Sequence, residues 1–197
     1  ALHALGRAEQ IVPRLAAPVG ALKAGGVAQM LARSLHCPPT SSAGRWFDAA
    51  AGALGLSLRQ AHEAEAAIAL EAAARRALAR QPADRLAPPP LPVADADGPL
   101  DIRPLLAPLF DLSAGDADAV DAAAAGFHLG LADALAAWAA SAARRNGAAR
   151  VELGGGCFAN AVLTQRLSGQ LAARGLPVLQ PQHQPCGDAG LALGQAW

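Results

Sequence analysis

Residues suited to ligand chemistry gather near the end of this 197-residue sequence, where three glycines follow a short apolar segment. The glycines are Gly154, Gly155 and Gly156, and a helical pattern begins soon after them. Glycine lacks a Cβ, so it permits a positive φ and lets a ligand approach the backbone closely. The first turn of the next helix adds unpaired N–H groups and a positive dipole end, which attract anions. We interpret the segment as a candidate nucleotide-binding turn, with a tight turn that binds nothing as the alternative.

The same glycines loosely match a dinucleotide-binding fingerprint, Gly-x-Gly-x-x-Ala. That fingerprint expects an acidic residue at the end of the second strand, where this sequence has Gln180. Only one β-α-β unit follows from the turn onward. The pattern therefore argues against a dinucleotide-dependent dehydrogenase.

A lone carboxylate, Asp188, lies in the polar loop after the second predicted strand. The carboxyl ends of neighbouring parallel strands meet at one edge of an α/β sheet, and such sheets bind nucleotides there. A carboxylate at that edge suits a metal ion that bridges nucleotide phosphates. An N-cap for the last helix is the simpler role. Spacing alone leaves both roles open.

A third polar group precedes and enters the helix predicted at 43–54. Its hydroxyl residues, Thr40 to Ser42, are of the kind that most often cap a helix. Asp48 lies one turn inside the helix. Its carboxylate could reach the sugar hydroxyls of a nucleotide, or it could simply face solvent.

Other ionisable residues are expected to be structural. His128 borders the apolar stripe of the longest predicted helix, and a hydrogen-bonded core histidine is a commoner outcome there than a ligand. Glu63, Glu65 and Glu71 are expected on a solvated helix face. The sequence contains no Ser/His/Asp order, H-E-x-x-H or P-loop.

Apolar periodicity predicts an α/β chain that is mostly helical, with a small sheet. The clearest helix is 116–145, with an apolar residue every three or four positions. A stretch rich in Pro, Asp and Gly, 81–104, is expected to be a loop. Further helices are expected at 22–35, 43–54, 64–80, 104–111, 159–173 and 189–197, and strands at 151–153 and 176–179.

We expect a single lobe over 1–197, with a helical part at about 1–145 and a β-α-β-loop-α part at about 146–197. The chain begins without Met, on a pattern typical of the last turn of a helix with Gly6 as its cap. This start suggests a piece of a longer protein.

Composition bears on partners and compartment. The net charge is zero, so no basic face is implied and nucleic acid is not an expected partner. Apolar residues make up 53% of the chain, but no uninterrupted run approaches the ~20 residues that span a bilayer. No membrane partner is expected either. Three widely spaced cysteines without a C-x-x-C pair argue against a disulfide framework and fit a reducing cytoplasm.

Taken together, the motifs resemble the C-terminal part of the hydrogenase maturation carbamoyltransferases, the HypF family, in order and spacing over the whole chain. The segments that carry the resemblance are Gly25-Gly26-Val, Thr40-Ser-Ser-Ala-Gly-Arg-Trp-Phe-Asp48, Ala66-Ala-Ile-Ala-Leu-Glu71, Gly126-Phe-His128, Leu153-Gly-Gly-Gly-Cys-Phe-Ala-Asn160 and Asp188-Ala-Gly-Leu-Ala-Leu-Gly-Gln195.

The resemblance implies the C-terminal lobe of an actin-like ATPase fold, a superfamily shared with the tRNA threonylcarbamoyl-transfer enzymes. It implies a longer protein that makes carbamoyl adenylate from carbamoyl phosphate and ATP. That protein would pass the carbamoyl group to the C-terminal cysteine of a HypE-type acceptor. The product would become the cyanide ligand of nickel–iron hydrogenase.

The resemblance also implies roles for individual residues. Asp48 would contact the ribose, and the turn 154–156 together with Asn160 would contact the adenylate. Asp188 would be one ligand of a divalent metal, iron or magnesium. By the same resemblance, the family's metal site also includes a His-x-x-x-His pair. This chain lacks that pair, and it also lacks the adenylate-forming domains.

One departure bears on nucleotide affinity. The family's Tyr-Glu-Gly-Gln is replaced by His62-Glu63-Ala64-Glu65, and a glycine lost near a nucleotide can close the path to it. The leading hypothesis is a carbamoyltransferase fragment that binds nucleotide weakly and is inactive by itself. The competing hypothesis is a non-catalytic module that keeps the fold to bind a partner or to form a homodimer.

Overall fold

A computed structural model of the protein describes residues 1–92, 98–112 and 115–196. The helices are α1 (Ile11–Val19), α2 (Ala21–Ala32), α3 (Ala43–Ala53), α4 (Glu65–Arg80), α5 (Ala83–Leu86), α6 (Arg103–Leu106), α7 (Ala117–Asn146), α8 (Ala161–Ala172) and α9 (Leu191–Ala196). Short 3₁₀ turns occupy Ala8–Gln10, Ala107–Asp111, Gly156–Ala159 and Asp188–Gly190. The strands are β1 (Val151–Glu152) and β2 (Val178–Leu179).

Helix α7 forms the centre of the molecule. Asp116 caps its start by accepting a hydrogen bond from the Ala119 N–H at 3.0 Å, and Gly147 ends it in a left-handed conformation at φ +64°. Helix α4 packs along one side of α7 and α8 along another. By length and composition α7 could also cross a membrane, but 56% of its most apolar stretch is buried inside the protein. Its packing between two helices accounts for its apolar composition.

A cluster of ion pairs fastens α4 to α7. Asp121 is buried, and its carboxylate accepts hydrogen bonds from Arg76 Nη2 at 2.6 Å and from Arg80 Nη2 at 2.8 Å. The hydrogen bond from Arg76 is the main reason that the pKa of Asp121 lies below its ordinary value. A buried carboxylate left without partners is costly, so the cluster sets the position of α4 against α7.

Two glycines on α7 let Leu86 of α5, Pro88 and Leu105 of α6 lie close against it. A Cβ at Gly130 would come within 2.7 Å of both Leu105 Cδ2 and Pro88 Cγ, and a Cβ at Gly126 would come within 3.1 Å of the Leu86 carbonyl oxygen. Larger residues at these positions would push these three residues away from α7.

The sheet brings two loops to one edge. Strand β1 pairs in parallel with β2, with Val151 opposite Val178 and Glu152 opposite Leu179, and α8 connects the two strands. The carboxyl ends of parallel strands share an edge. The glycine turn after β1 and the loop that leads to Asp188 after β2 therefore lie side by side.

Most of the predicted elements are present with small shifts at their ends. The periodicity analysis misses α1, which contains Pro13 and Pro18, and α5, a single turn within the predicted loop. Pro13 lies in the first turn of α1, where the missing N–H has no partner to lose.

Helix α2 is the predicted apolar helix, but much of its apolar surface faces solvent. Leu22, Val27 and Met30 are exposed, and Ala24 is the buried residue of this helix. Helix α1 packs against α2, and together they form a hairpin beside α3. The apolar spacing of α2 predicts the helix correctly, but it does not identify which part of the protein packs against its apolar face.

The packing at Gly130 predicts a stability difference between two glycine-to-alanine changes. Gly130→Ala is expected to lower the free energy of unfolding by about 1–3 kcal/mol, because the new methyl would meet a proline ring. Gly169→Ala on α8 is the control, because a Cβ there meets nothing within 4 Å, and it is expected to raise stability by about 0.5–1 kcal/mol. Urea unfolding measures both changes. Equal stability of the two variants would contradict the packing argument.

Candidate functional site

The glycine turn is held against the neighbouring loop by backbone contacts. Gly155 has φ +107°, and its N–H donates a hydrogen bond to the Cys186 carbonyl oxygen at 2.6 Å. A Cβ at Gly187 would come within 3.2 Å of Gly156 Cα, so the glycine turn and the loop after β2 are in contact. A Cβ on any of the three turn glycines would meet nothing within 4 Å. The outer side of the turn is open space that a ligand can enter.

The start of α8 is already occupied by the protein's own acceptors. Asn160 Oδ1 accepts a hydrogen bond from the Leu163 N–H at 3.0 Å, and Glu71 Oε1 accepts one from the Ala161 N–H at 3.1 Å. A 3₁₀ turn, Gly156–Ala159, also separates the glycines from α8. An anion at this site would therefore meet the glycine turn rather than the first turn of the long helix.

Glu71 does not lie on a solvated face, and the sequence expectation for it is wrong. Its carboxylate reaches from α4 to the start of α8, where it satisfies a backbone N–H. The pattern of α4 shows which face of the helix is buried, but it cannot show that another helix begins there.

His128 anchors Asn160 from the core. His128 is fully buried, its Nδ1 lies 2.7 Å from the Ala124 carbonyl oxygen, and its Nε2 lies 2.9 Å from Asn160 Nδ2. A carbonyl can only accept, so the proton is assigned to Nδ1, and Nε2 accepts from the Asn160 amide. Burial lowers the pKa of His128 to about 4. His128 is thus a satisfied core histidine, as its position in the apolar stripe favours.

Asp48 lies in a polar cleft lined mainly by residues of α3 and of the loop after it. Its carboxylate is 19% exposed, with Arg45 Nη2 at 2.9 Å from Oδ2 and with Oδ1 accepting a hydrogen bond from Gln60 Nε2 at 2.9 Å. The contact with Arg45 is a close charge pair without an aligned hydrogen bond, and Oδ2 is shielded from solvent. This oxygen retains an unused capacity to accept a hydrogen bond.

The cleft has a volume of about 540 Å³ and contains two arginines, Arg45 and Arg59. Its position relative to the turn follows from Cys157, the residue after the third glycine. Burial is the main cause that raises the pKa of the Cys157 thiol, and the negative charge of Asp48 raises it further. Asp48 is therefore within electrostatic range of the turn, as the hypothesis of a shared site requires. No sequence signal marks Arg59 and Gln60 as site residues, because the short loop after α3 has no periodic pattern.

Asp188 is exposed and stands at the first position of a 3₁₀ turn before α9. Within the described residues, no group of three or more His, Cys, Asp or Glu side chains is arranged to hold a metal ion. One exposed carboxylate does not make a metal site by itself. The residues described here fit one ligand of such a site and not the whole of it.

Ala64 keeps the backbone shape that a glycine would favour. It has φ +60° and ψ 8°, in the left-handed region, directly before α4. Glu65 stabilises this corner, because its Oε2 accepts a hydrogen bond from the Ala61 N–H at 2.6 Å. That hydrogen bond is the main cause that lowers the pKa of Glu65. Alanine at this left-handed position strains the corner.

Comparison with known proteins places these features in a family. The chain matches, over residues 1–195, the family model described as the second subdomain of the carbamoyltransferase Kae1-like domain. It is 54% identical to a carbamoyltransferase HypF homolog of Cupriavidus necator, covering 100% of this chain and 50% of that protein. It is 39% identical to carbamoyltransferase HypF2 of the same organism, covering 26% of that protein. The chain therefore spans half or less of these relatives.

Solved structures agree with the fold. The structure of HypF from T. kodakarensis matches with a TM-score of 0.74 at 26% identity, over 94% of this chain and 23% of that one. Full-length HypF in a phosphate- and nucleotide-bound form matches with a TM-score of 0.67 at 22% identity, over 95% of this chain and 24% of that one. The expected fold, a mostly helical lobe with a small sheet, is confirmed.

The buried imidazole predicts a loss of stability in mild acid. The unfolded chain takes up a proton on His128 near pH 6.5, whereas the folded chain does so near pH 4. The contribution of His128 is therefore fully present above about pH 6.5 and is lost as the pH falls toward 4, by roughly 3 kcal/mol in total. Unfolding across this range, together with NMR titration of the His128 ring, tests the prediction. His183→Gln, at an exposed position, is the control and should leave the profile unchanged. A His128 ring that titrates near 6.5 would contradict it.

The left-handed corner predicts that restoring glycine stabilises the chain. Ala64→Gly is expected to raise the free energy of unfolding by about 1 kcal/mol, because it removes the strain of a Cβ at positive φ. Ala72→Gly, at an exposed position inside α4, is the control and should lower it by about 1 kcal/mol. Chemical denaturation compares the two, and a loss at both positions would show that Ala64 is not strained.

Proposed function

This chain belongs to the carbamoyltransferase HypF family, and from that premise we propose that it supplies the nucleotide-facing lobe of a carbamoyl-transfer enzyme. In this proposal the donor is carbamoyl adenylate, made from carbamoyl phosphate and ATP by parts of the protein outside this chain. The acceptor is the C-terminal cysteine of a HypE-type protein. The chain by itself is expected to be inactive, because it supplies neither the donor nor a complete site.

The proposed transfer is an acyl substitution. The acceptor thiolate attacks the carbamoyl carbonyl carbon, a sulfur–carbon bond forms, and the bond from that carbon to the phosphate oxygen breaks. AMP leaves with the electron pair, and the product is a thiocarbamate. The open side of the glycine turn faces the leaving phosphate in this proposal, because backbone N–H groups of such turns bind anions. The Gly155 N–H is already bonded to Cys186, so other N–H groups of the turn would take this role.

One observation carries the proposal: Asp48, in its polar cleft, is within electrostatic range of Cys157, the residue after the open glycine turn. Asp48 Oδ2 lacks an aligned donor, and a ribose hydroxyl that displaced Arg45 from it would be a donor of the required kind. In the proposal Asp48 binds the ribose and the turn 154–156 faces the phosphate. In the proposal Asn160 positions the start of α8, because its amide oxygen and amide nitrogen both form hydrogen bonds inside the protein.

The residues described here do not complete a metal site, so no step is assigned to a metal. In the proposal Asp188 contributes one ligand to a divalent ion, iron or magnesium, whose other ligands come from outside the chain. Such an ion would polarise the carbamoyl carbonyl.

The competing function, a module that binds a partner or dimerises, is favoured by the exposed apolar surface of α2. Leu22 alone is 91% exposed, and surfaces of this kind mark contacts between proteins when they are contiguous. Nucleotide binding separates this function from the leading one.

Asp48→Asn tests the proposed function. Calorimetric titration with ATP and Mg²⁺ is expected to show weak binding to the chain, and the variant is expected to weaken it roughly 10- to 100-fold, since a charged hydrogen bond contributes about 1.5–3 kcal/mol. Asp101→Asn is the control, because that exposed carboxylate pairs with Arg103 instead. Asn160→Ala is a poorer test, because it also removes the cap of α8.

The titration is repeated with the preceding half of the Cupriavidus necator homologue present. No heat in either experiment, together with a concentration-dependent dimer in light scattering, would favour the competing module. Equal affinity of the wild type and Asp48→Asn would remove Asp48 from the site.

A further inference from the structure

Two cysteines stand at the carboxyl ends of the two strands. Cys157 follows the glycine turn, and Cys186 belongs to the loop after β2. Both are partly exposed, so a small reagent can reach them, and neither has a role in the proposed transfer. The two cysteines are far apart in sequence, with α8 between them. The parallel sheet nevertheless brings their two loops together.

Backbone contacts define how these loops meet. Gly155 donates its N–H to the carbonyl oxygen of Cys186 at 2.6 Å, and the Cβ position of Gly187 is 3.2 Å from Gly156 Cα. The cysteines are next to these contacts on each chain. The Cys186 thiol also contributes, after burial and Asp48, to the raised pKa of Cys157, so the two sulfurs are within electrostatic range.

We propose that Cys157 and Cys186 form a reversible disulfide bridge when the folded chain meets a disulfide oxidant such as oxidised glutathione. The Cys186 thiolate attacks one sulfur of the oxidant, which forms a mixed disulfide and releases one glutathione thiolate. The Cys157 thiolate then attacks the Cys186 sulfur, closes the bridge and expels the second glutathione. Two protein thiols are oxidised and one glutathione disulfide is reduced to two thiols.

The order of attack follows from the surroundings of Cys157. Burial and the neighbouring carboxylate disfavour its thiolate, so the first encounter with the oxidant falls to Cys186. A partly exposed bridge of this kind is transient in a reducing compartment and is characteristic of redox sensing. Once formed, it would tie the glycine turn to the loop that carries Asp188. The bridge depends on the contact of the two loops and not on nucleotide binding, so its test is independent of the proposed function.

Peptide mapping tests the bridge. The folded wild-type chain is treated with oxidised glutathione and digested with trypsin without reductant. The expected product joins the peptides 151–166 and 175–197, which contain Cys157 and Cys186, and dithiothreitol separates them. The chain should lose two hydrogens in mass at these residues.

Variants define the specificity. Cys37→Ser is the matched control, because Cys37 is exposed, and the variant should form the same bridge. Cys157→Ser and Cys186→Ser should stop at a mixed disulfide with glutathione at the remaining cysteine. In guanidinium the wild type should lose its preference and also form pairs with Cys37. Glutathione on both Cys157 and Cys186 of the folded wild type, with no joined peptide, would overturn the proposal.

Discussion

The candidate site depends on one side chain, Asn160, which joins the helix that follows the glycine turn to the buried centre of α7. Its Oδ1 caps α8, and its Nδ2 donates to His128. His128 can accept that hydrogen bond only while it is neutral, with its proton given to the Ala124 carbonyl. Burial maintains that state by disfavouring the imidazolium. The hydrogen bond from Asn160 to a neutral, buried His128 thus helps to fix the position of α8 and of the turn before it.

Most of the helices, and the parallel strand pair, could be predicted from the sequence because apolar spacing reports which side of a helix is buried. The same spacing is silent about which element does the burying. Glu71 shows this limit of the sequence pattern. Its position on α4 predicts a solvated side chain, but α8 begins beside it and its carboxylate accepts a hydrogen bond there. Helix α2 shows the same limit, since a correctly predicted apolar helix leaves Leu22 in solvent. Local pattern predicts elements, whereas the contacts between elements need the tertiary structure.

Among the site residues, those with unusual backbone needs were the easiest to find. The glycines at 154–156 stand out in sequence because few other residues accept φ +107° at Gly155. Gln60 and Cys186 carry no such mark, and the fold alone brings them to the site. Ala64 adopts a left-handed conformation that glycine accepts more easily, and Glu65 satisfies N–H groups of the same corner. The departure from the family pattern there carries a cost in backbone strain.

The exposure of the glycine turn also bears on how much of a nucleotide this chain can hold. A small-molecule site usually buries most of its ligand, and that requires walls on opposite sides. Here open space lies in front of the turn glycines, and the Asp48 cleft is lined mainly by α3 and the loop after it. A ligand that contacted these residues alone would keep much of its surface in water and would lose little of its hydration. The proposed site would therefore bind nucleotide weakly in this chain and more tightly in a longer protein that supplied the opposing wall, without any change in the residues of this lobe.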